Sequence, residues 1–253
     1  MEKQLIIVVM AGGNGTRMES DFHSHALLEK VGEIPMVVKV VNEAAKLLPR
    51  KLFIVVNQNE LKIRDAVRTY GITEDIEYIN QGPSNGTGYA IQTCKDKLKR
   101  YNNADTLIIS GNMALVSQKI LEQVVKEDGD IKIPYIEKDD GGDGDRLKIV
   151  KDKFNKIIIR EECCAKDLTI KNICIGMYCI DNMLLCSNIQ FVTTIFSSNE
   201  QHLEEVINII KKREYSNINI IKLPLLNHIQ VKRVRTRKEL KEINDYVSAL
   251  SLI

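Results

Sequence analysis

Six consecutive apolar residues, Leu5-Ile6-Ile7-Val8-Val9-Met10, run without a break into Ala11-Gly12-Gly13-Asn14-Gly15-Thr16-Arg17-Met18. A short apolar run bounded by a turn reads as a strand covered on both faces, so the chain has to supply layers on either side of a sheet. Glycines at 12, 13 and 15 strip the turn of side chains, and backbone N–H groups can then approach phosphate oxygens closely. Arg17 adds a planar, permanently charged fork for a phosphate. The arrangement suits a nucleoside triphosphate.

Two better-known glycine turns fail to match. A P-loop closes on Lys-Ser/Thr, whereas Thr16-Arg17 stands here, with shorter glycine spacing. A dinucleotide fingerprint needs a third glycine for close helix packing, and Met18 takes that place.

With 253 residues the chain can build one sizeable core or one core with a small annex, and a single domain is expected over 1–253. A composition of 44% hydrophobic and 28% charged residues is that of a globular protein, and no apolar run approaches a membrane span. Met1-Glu2-Lys3-Gln4 leads straight into the first strand without a cleavable leader, so a cytoplasmic location is expected, with no membrane partner. A net charge of +2 is too small for a protein devoted to a nucleic-acid backbone. Cys94, Cys163, Cys164, Cys174, Cys179 and Cys186 show no Cys-x-x-Cys spacing and read as reduced, mostly buried thiols.

Strand-like and helix-like runs alternate through the first half, which is the signature of a mostly parallel sheet with helices on both faces. Strands are expected at Leu5–Met10, Leu52–Val56, Ile76–Ile79, Thr106–Ser110 and Ile131–Ile136. Helices are expected from Pro35 to Leu48, where Pro49 ends the pattern, from Leu61 to Tyr70, from about Gly88 to Leu98 and from Gln118 to Val125. After Glu137 comes an acidic glycine-rich loop, then β-rich runs at Leu147–Val150, Lys156–Arg160 and Asn172–Ile180 that read as an antiparallel annex. An amphipathic helix around Leu203–Ile210, a strand at Ile218–Leu223 and a closing helix through Leu240 to Leu250 complete the pattern. Asp143-Gly144-Asp145 in the acidic loop could offer hard oxygen ligands to a divalent ion, but a solvated hairpin loop accounts for the same residues.

Ligands of parallel sheets collect at the carboxyl ends of strands. Two further segments sit there: Gln81-Gly82-Pro83-Ser84-Asn85-Gly86-Thr87-Gly88-Tyr89-Ala90, and Ser110-Gly111-Asn112-Met113-Ala114-Leu115. Together with Ala11–Met18 they resemble the sugar-1-phosphate nucleotidyltransferases, and within them the uridylyltransferase domains of bacterial type. Ala11–Met18 is similar to that family's Ala-Ala-Gly-x-Gly-Thr-Arg-Met, Gln81–Ala90 to its Gln-x-x-Gln-x-Gly-Thr-Gly-His-Ala, and Gly111–Leu115 to its Gly-Asp-x-Pro-Leu. Gly32–Met36, Lys148–Asp152, Ile175–Tyr178 and Glu200–Ile207 carry weaker echoes in the same order.

The resemblance implies an α/β, Rossmann-like mixed sheet of the nucleotide-diphospho-sugar transferase fold. A nucleotide-binding half over about 1–136 and a smaller β-containing sugar-side region over about 137–253 follow from it, without the β-helix acetyltransferase domain that bacterial members carry. It further implies that a sugar 1-phosphate, with N-acetylglucosamine 1-phosphate as the leading acceptor, attacks the α-phosphorus of UTP and that pyrophosphate leaves. Met10, Ala11, Gly12, Gln81, Gly86 and Thr87 would then hold the base, the amides of Gly13, Asn14, Gly15 and Thr16 the phosphates, and Arg17 the departing pyrophosphate. Gly111 and Glu162 would face the sugar.

Other positions depart from the family pattern. Its magnesium-binding aspartate aligns with Asn112, and the partner near the carboxyl end aligns with Arg233. Mg is expected from the family, yet a neutral amide is a poor ligand for it and a guanidinium repels it. The phosphate-binding Pro-Lys is replaced by His23-Ser24-His25, Cys174 stands where an asparagine contacts sugar, and Leu147 where a glycine does. Two accounts fit: an enzyme in which Arg233, Lys232 or His25 supplies the missing charge, or a homologue that binds nucleotide without turning it over. A cytidylyl- or guanylyltransferase of the same fold is a third. Taken singly, His25 reads as an exposed or capping histidine rather than a proton donor. The basic run Lys232, Arg233, Arg235, Arg237, Lys238 reads as a solvated face and a helix start.

Overall fold

The computed structural model describes residues 3–13, 15, 18, 25–72, 75–137, 147–151, 157–161, 172–193, 201–213, 218–219 and 225–250. Strand β1 (Gln4–Met10) is followed by a two-residue hairpin, β2 (Lys30–Val31) and β3 (Ile34–Pro35), and by helix α1 (Met36–Ala45). Then come β4 (Lys51–Val56), α2 (Glu60–Thr69), β5 (Ile76–Asn80), α3 (Thr87–Leu98), β6 (Ala104–Ser110) and α4 (Gln118–Lys126). The second half holds β7 (Ile131–Lys132), β8 (Tyr135–Glu137), β9 (Leu147–Lys151), β10 (Ile157–Glu161), β11 (Asn172–Cys174), β12 (Tyr178–Asp181), α5 (Asn182–Asn188), α6 (Leu203–Arg213), β13 (Ile218–Asn219) and α7 (Arg237–Leu250).

Seven strands form one sheet in the order β13-β7-β12-β6-β1-β4-β5, and β1 runs parallel to both its neighbours. That central place explains its composition. Ile7 and Val9 pack among Val37, Val41, Ile54, Ile63, Leu121 and Val124 on one face, while Ile6 and Val8 meet Phe53, Val55, Ile91 and Leu98 on the other. A strand with no solvent side has no place for a polar residue, and Ile6 to Val9 are all fully buried. A third cluster joins Met18, Val31, Met36, Ala114, Val234, Leu240 and Ile243, so α7 is closed against the hairpin and against the end of the first glycine turn. Met18 is 1% exposed in that cluster, which is why a large apolar residue replaces the third glycine of a dinucleotide fingerprint.

The second sheet, β10-β9-β11-β8, is antiparallel throughout, as expected of the annex. Two expected strands are each divided between the sheets. The run Ile131–Ile136 breaks at Pro134, which lacks a ladder N–H, leaving β7 in the large sheet and β8 in the small one. The run Asn172–Ile180 breaks at Gly176, whose φ of +74° turns the chain out of β11 and into β12, antiparallel to β6. Helix α1 stops at Ala45, three residues before the expected Leu48. Helix α5, with Asp181 capping Met183 and Leu184, went unread in the sequence.

Cys94, Cys174, Cys179 and Cys186 are free and buried, and burial pushes their thiols up to about 12, 11, 12 and 11. Cys163 and Cys164, the acidic loop with Asp143 and Asp145, and the end of the expected strand at 220–223 lie outside the described residues. Among the described residues no helix is long and apolar enough to cross a membrane.

Candidate functional site

The carboxyl ends of β1, β4, β5 and β6 are adjacent in the sheet, and each releases a polar or glycine-rich segment there. At the end of β1 the Ala11 N–H donates to Val55 O at 2.8 Å, which extends the ladder to the brink of the turn. The next carbonyl, Gly12 O, accepts two side-chain amides, Gln81 Nε2 at 2.7 Å and Asn57 Nδ2 at 3.1 Å. A Cβ on Gly12 would lie 2.4 Å from Gln81 Nε2, so a side chain there would displace the amide that lies across it. Gly15 has φ +66°, and a Cβ there would meet Ala26 Cβ at 2.5 Å. Asn14, Thr16, Arg17 and Glu162, expected to hold phosphates, pyrophosphate and sugar, lie outside the described residues.

Gln81 is 5% exposed. With Nε2 committed to Gly12, its Oε1 is buried and meets no hydrogen-bond donor among the described residues. A buried acceptor without a donor costs about 1–3 kcal/mol, so Gln81 Oε1 is a group that an arriving N–H would satisfy.

The Gln81–Gly88 segment is held from the far side by residues 201–203. Gly88 N donates to Gln201 O at 2.8 Å, Gln201 N to Asn85 O at 3.0 Å, and Leu203 N to Thr87 Oγ1 at 3.0 Å. Gly86 has φ +93°, and a Cβ there would stand 2.2 Å from Gln201 O. The glycine therefore allows the start of α6 to close against the start of α3. Thr87 Oγ1, expected at the base, is engaged with Leu203.

His25 lies 5% exposed beside the first turn. Its Nδ1 accepts from Leu27 N at 3.3 Å, capping the 3-10 turn Ala26–Leu28, and its Nε2 sits 2.8 Å from Gly13 O. With Nδ1 accepting, the proton resides on Nε2 and is donated to Gly13. Burial holds the ring below the ordinary histidine pKa, opposed by the Gly13 hydrogen bond and aided by Lys62. The capping reading stands, and the exposed one is corrected. A ring held neutral does not supply positive charge in place of a lysine.

After β6, Gly111 N donates to Met10 O at 2.9 Å, so this segment lies against the start of the first turn. Asn112 has every polar atom of its amide engaged: Oδ1 accepts from Ser110 Oγ at 2.8 Å and Nδ2 donates to Val234 O at 2.8 Å. Val234 N returns a bond to Asn112 O at 3.0 Å. The chain around Arg233 is thereby stitched to the end of β6, and the Arg233 guanidinium lies over Gly176, where a Cβ would meet Nη1 at 2.6 Å. Next to it, Cys174 Sγ is 3.2 Å from Tyr178 Oη, which donates to the buried Glu204 Oε1 at 2.6 Å.

Neither Asn112 nor Arg233 suits a divalent cation, since one is an amide already satisfied and the other a cation. Among the described residues no group of three or more His, Cys, Asp or Glu is placed to hold a metal ion. At the two positions where the resemblance expects magnesium ligands, the described part of the cleft offers an amide and a cation.

Sequence reasoning missed Asn57 and Gln201. Asn57 follows the fully apolar β4 and is 2% exposed. A buried amide at the carboxyl end of an apolar strand was the available signal. Gln201 could not be found that way, because its role is made by main-chain atoms.

Comparison with known proteins agrees with this geometry. A family model described as a MobA-like NTP transferase domain matches residues 7–164. The bifunctional protein GlmU of Prochlorococcus marinus is 25% identical over 248 residues, which are 96% of this chain and 53% of that protein; this chain thus spans about half the length of that relative. A probable UDP-N-acetylglucosamine pyrophosphorylase of Acanthamoeba polyphaga mimivirus is 25% identical over 247 residues, 95% of both chains. Among solved structures, a UDP-glucose pyrophosphorylase complexed with UDP-glucose superposes with a TM-score of 0.74 at 15% identity, covering 98% of this chain and 99% of that one. A putative glucose-1-phosphate thymidylyltransferase of Bacillus anthracis gives 0.69 at 17% identity over 96% of this chain and 94% of that one. These two show the same fold. The motifs at Ala11, Gln81 and Gly111, the sheet whose strand ends gather them and the family match over residues 7–164 agree, and the chain belongs to the MobA-like NTP transferase domain family.

Proposed function

We propose that this chain transfers a uridylyl group from UTP to a sugar 1-phosphate, with an N-acetylated amino sugar as the acceptor, releasing pyrophosphate. The observation that supports a base with a ring N–H is Gln81 Oε1, buried and without a hydrogen-bond partner among the described residues. Uracil presents an N–H between two carbonyls, and that N–H answers an acceptor, as the ring N–H of thymine or guanine also does, whereas cytosine and adenine offer a lone pair at the corresponding ring nitrogen; uridine over thymidine and guanosine rests on the motif resemblance. The amino-sugar acceptor rests on the motif resemblance and on relatives such as the mimivirus protein.

In this reading the protein positions and neutralises rather than forming covalent bonds. Gly12 and Gln81 set the base at the end of β1 and β5. The first turn, opened by Gly13 and Gly15, brings backbone N–H groups to the phosphates, and Arg17 withdraws charge with the departing pyrophosphate. The sugar phosphate oxygen attacks the α-phosphorus opposite the breaking P–O bond. Gly111 borders that space on the β6 side.

Binding without turnover is favoured by one set of observations, the satisfied amide of Asn112 and the cation at Arg233 where the resemblance expects metal ligands. Pyrophosphate release from UTP with N-acetylglucosamine 1-phosphate and with glucose 1-phosphate, alongside binding of UTP, CTP and GTP, tests the proposal. The expected result is release with the amino sugar and UTP binding at least tenfold tighter than CTP, a preference that Gln81→Met removes. UTP binding without release for either sugar establishes the non-catalytic reading, and equal affinity for CTP overturns the role given to Gln81.

A further inference from the structure

Of the five cations in the basic run at residues 232–238, two are paired with carboxylates. Lys232 pairs with Glu242 and Arg237 with Glu29, while the Arg235 and Thr236 main-chain N–H groups are capped by Glu239 at 2.7 and 2.9 Å. Arg233 differs. Its backbone neighbour Val234 is bonded twice to Asn112, Asn112 follows Gly111, and Gly111 is bonded to Met10 at the mouth of the first turn. Its guanidinium is seated on Gly176, at the break between the two sheets, in a space that any side chain at 176 would fill. Among the described residues no carboxylate forms an ion pair with it.

We propose that the Arg233 guanidinium is the resident cation of this cleft, and that the chain holds the diphosphate of its nucleotide ligand through Arg233 without a divalent metal ion. The proposal deepens the nucleotide-binding reading and rests on it for the identity of the base alone. A cation tethered by the protein's own backbone, at the break between the two sheets and beside the segment that carries Asn112, would supply the positive charge that phosphate oxygens need. Its fork of N–H donors matches two oxygens at once, which a point charge does not. Coulomb repulsion then works against a divalent ion entering beside it, and the Asn112 amide, with Oδ1 and Nδ2 each hydrogen-bonded, brings no negative charge to offset that repulsion.

The experiment uses the full chain and two probes, inorganic pyrophosphate, which lacks a base, and UDP-N-acetylglucosamine. Each is titrated calorimetrically in EDTA and again in magnesium chloride. Binding of Mn2+ to the protein alone is followed by electron paramagnetic resonance. The expected result is that both probes bind in EDTA with affinities within about threefold of those in magnesium, that the free Mn2+ signal is unchanged by protein, and that Arg233→Met weakens both probes by about 10- to 100-fold in EDTA. Arg233→Lys, which keeps the charge and loses the fork, should recover part of that loss. Pyrophosphate binding that requires magnesium, absence of pyrophosphate binding in EDTA, stoichiometric Mn2+ binding, or an Arg233→Met protein that binds pyrophosphate as the parent does would each overturn the proposal. Should Arg233→Met not fold, the Arg233→Lys, EDTA and Mn2+ arms still decide. If pyrophosphate behaves as expected while UDP-N-acetylglucosamine binds no more tightly than pyrophosphate, the uridine reading fails and the resident cation stands.

Discussion

His25 joins two elements through its two ring nitrogens, and both bonds depend on one tautomer. Protonation would place a second N–H at Nδ1, facing the Leu27 N–H that it now accepts, and the cap of the Ala26–Leu28 turn would be lost. Burial is the main cause that holds the ring below its ordinary pKa in the folded chain. The unfolded chain therefore binds the proton first as the pH falls, and the linkage sign follows: stability contributed by neutral His25 is fully present above about pH 6.5 and declines below it, toward the lowered folded pKa. Thermal unfolding between pH 8 and pH 5.5 should show the midpoint falling at the acid end. His25→Gln, whose Nε2 can still donate to Gly13 but whose amide does not titrate, should show a smaller fall over the same interval. Equal slopes for the two proteins would mean that His25 is not the group being titrated.

Helix α1 shows how an element is ended by a residue poorly suited to the task. Leu48 adopts φ +50° with its side chain 87% exposed, and its N–H donates to Ala45 O at 2.9 Å. An L-residue with a branched, solvated side chain loses about 1–2 kcal/mol in that conformation, whereas asparagine tolerates it. Leu48→Asn should accordingly raise the unfolding free energy by about 0.5–1 kcal/mol in urea titration with an unchanged m value, and an unchanged or lowered midpoint would show that the φ is not costly here. The same helix marks how far sequence reading reaches. Its apolar face, Val37, Val38, Val41, Ala44 and Ala45, was legible because burial imposes a helical period. Its end was not, because the left-handed turn at Leu48 is a backbone event without a glycine to announce it. Likewise Pro134 and Gly176 were visible as residues, but that each hands the chain from one sheet to the other depends on pairing between distant strands. At the site, the glycines at 12 and 15 could be read as places of close approach to a ligand, and Gly86 as part of a base site. What approaches them, Gln81, Ala26 and Gln201, comes from elsewhere in the chain.

At the scale of the whole molecule the large sheet has two unlike ends. Its carboxyl end gathers glycines, neutral amides and Arg233. Its amino end is closed by charge: Lys3 Nζ lies 2.9 Å from Asp105 Oδ1 and 2.8 Å from Asp181 Oδ2, and Lys132 Nζ lies 2.8 Å from Asp105 Oδ2 and 2.9 Å from Val125 O. These groups come from the entry to β1 and from β6, β12 and β7, so the network staples the antiparallel strands to the parallel ones. Burial would lower the Lys3 pKa, but the hydrogen bonds it donates to Asp181 and Asp105, with the attraction of both carboxylates, outweigh it and the net shift is upward. Lys132 is 3% exposed and Asp105 8%, which makes their pair the sensitive part. Removing one partner of a buried pair strands the other charge, at a cost of about 3–5 kcal/mol, while replacing both with apolar groups is often neutral or better. Asp105→Asn should therefore lower the unfolding free energy from urea titration by an amount in that range, and Asp105→Leu with Lys132→Met should recover most of it. Because the network sits at the opposite end of the strands from Gly12, Gln81 and Arg233, nucleotide affinity of the folded fraction should be unchanged in both variants. A loss of affinity that tracks the loss of stability would show instead that the two ends of the sheet are coupled, and that the geometry of the cleft depends on how the amino end is closed.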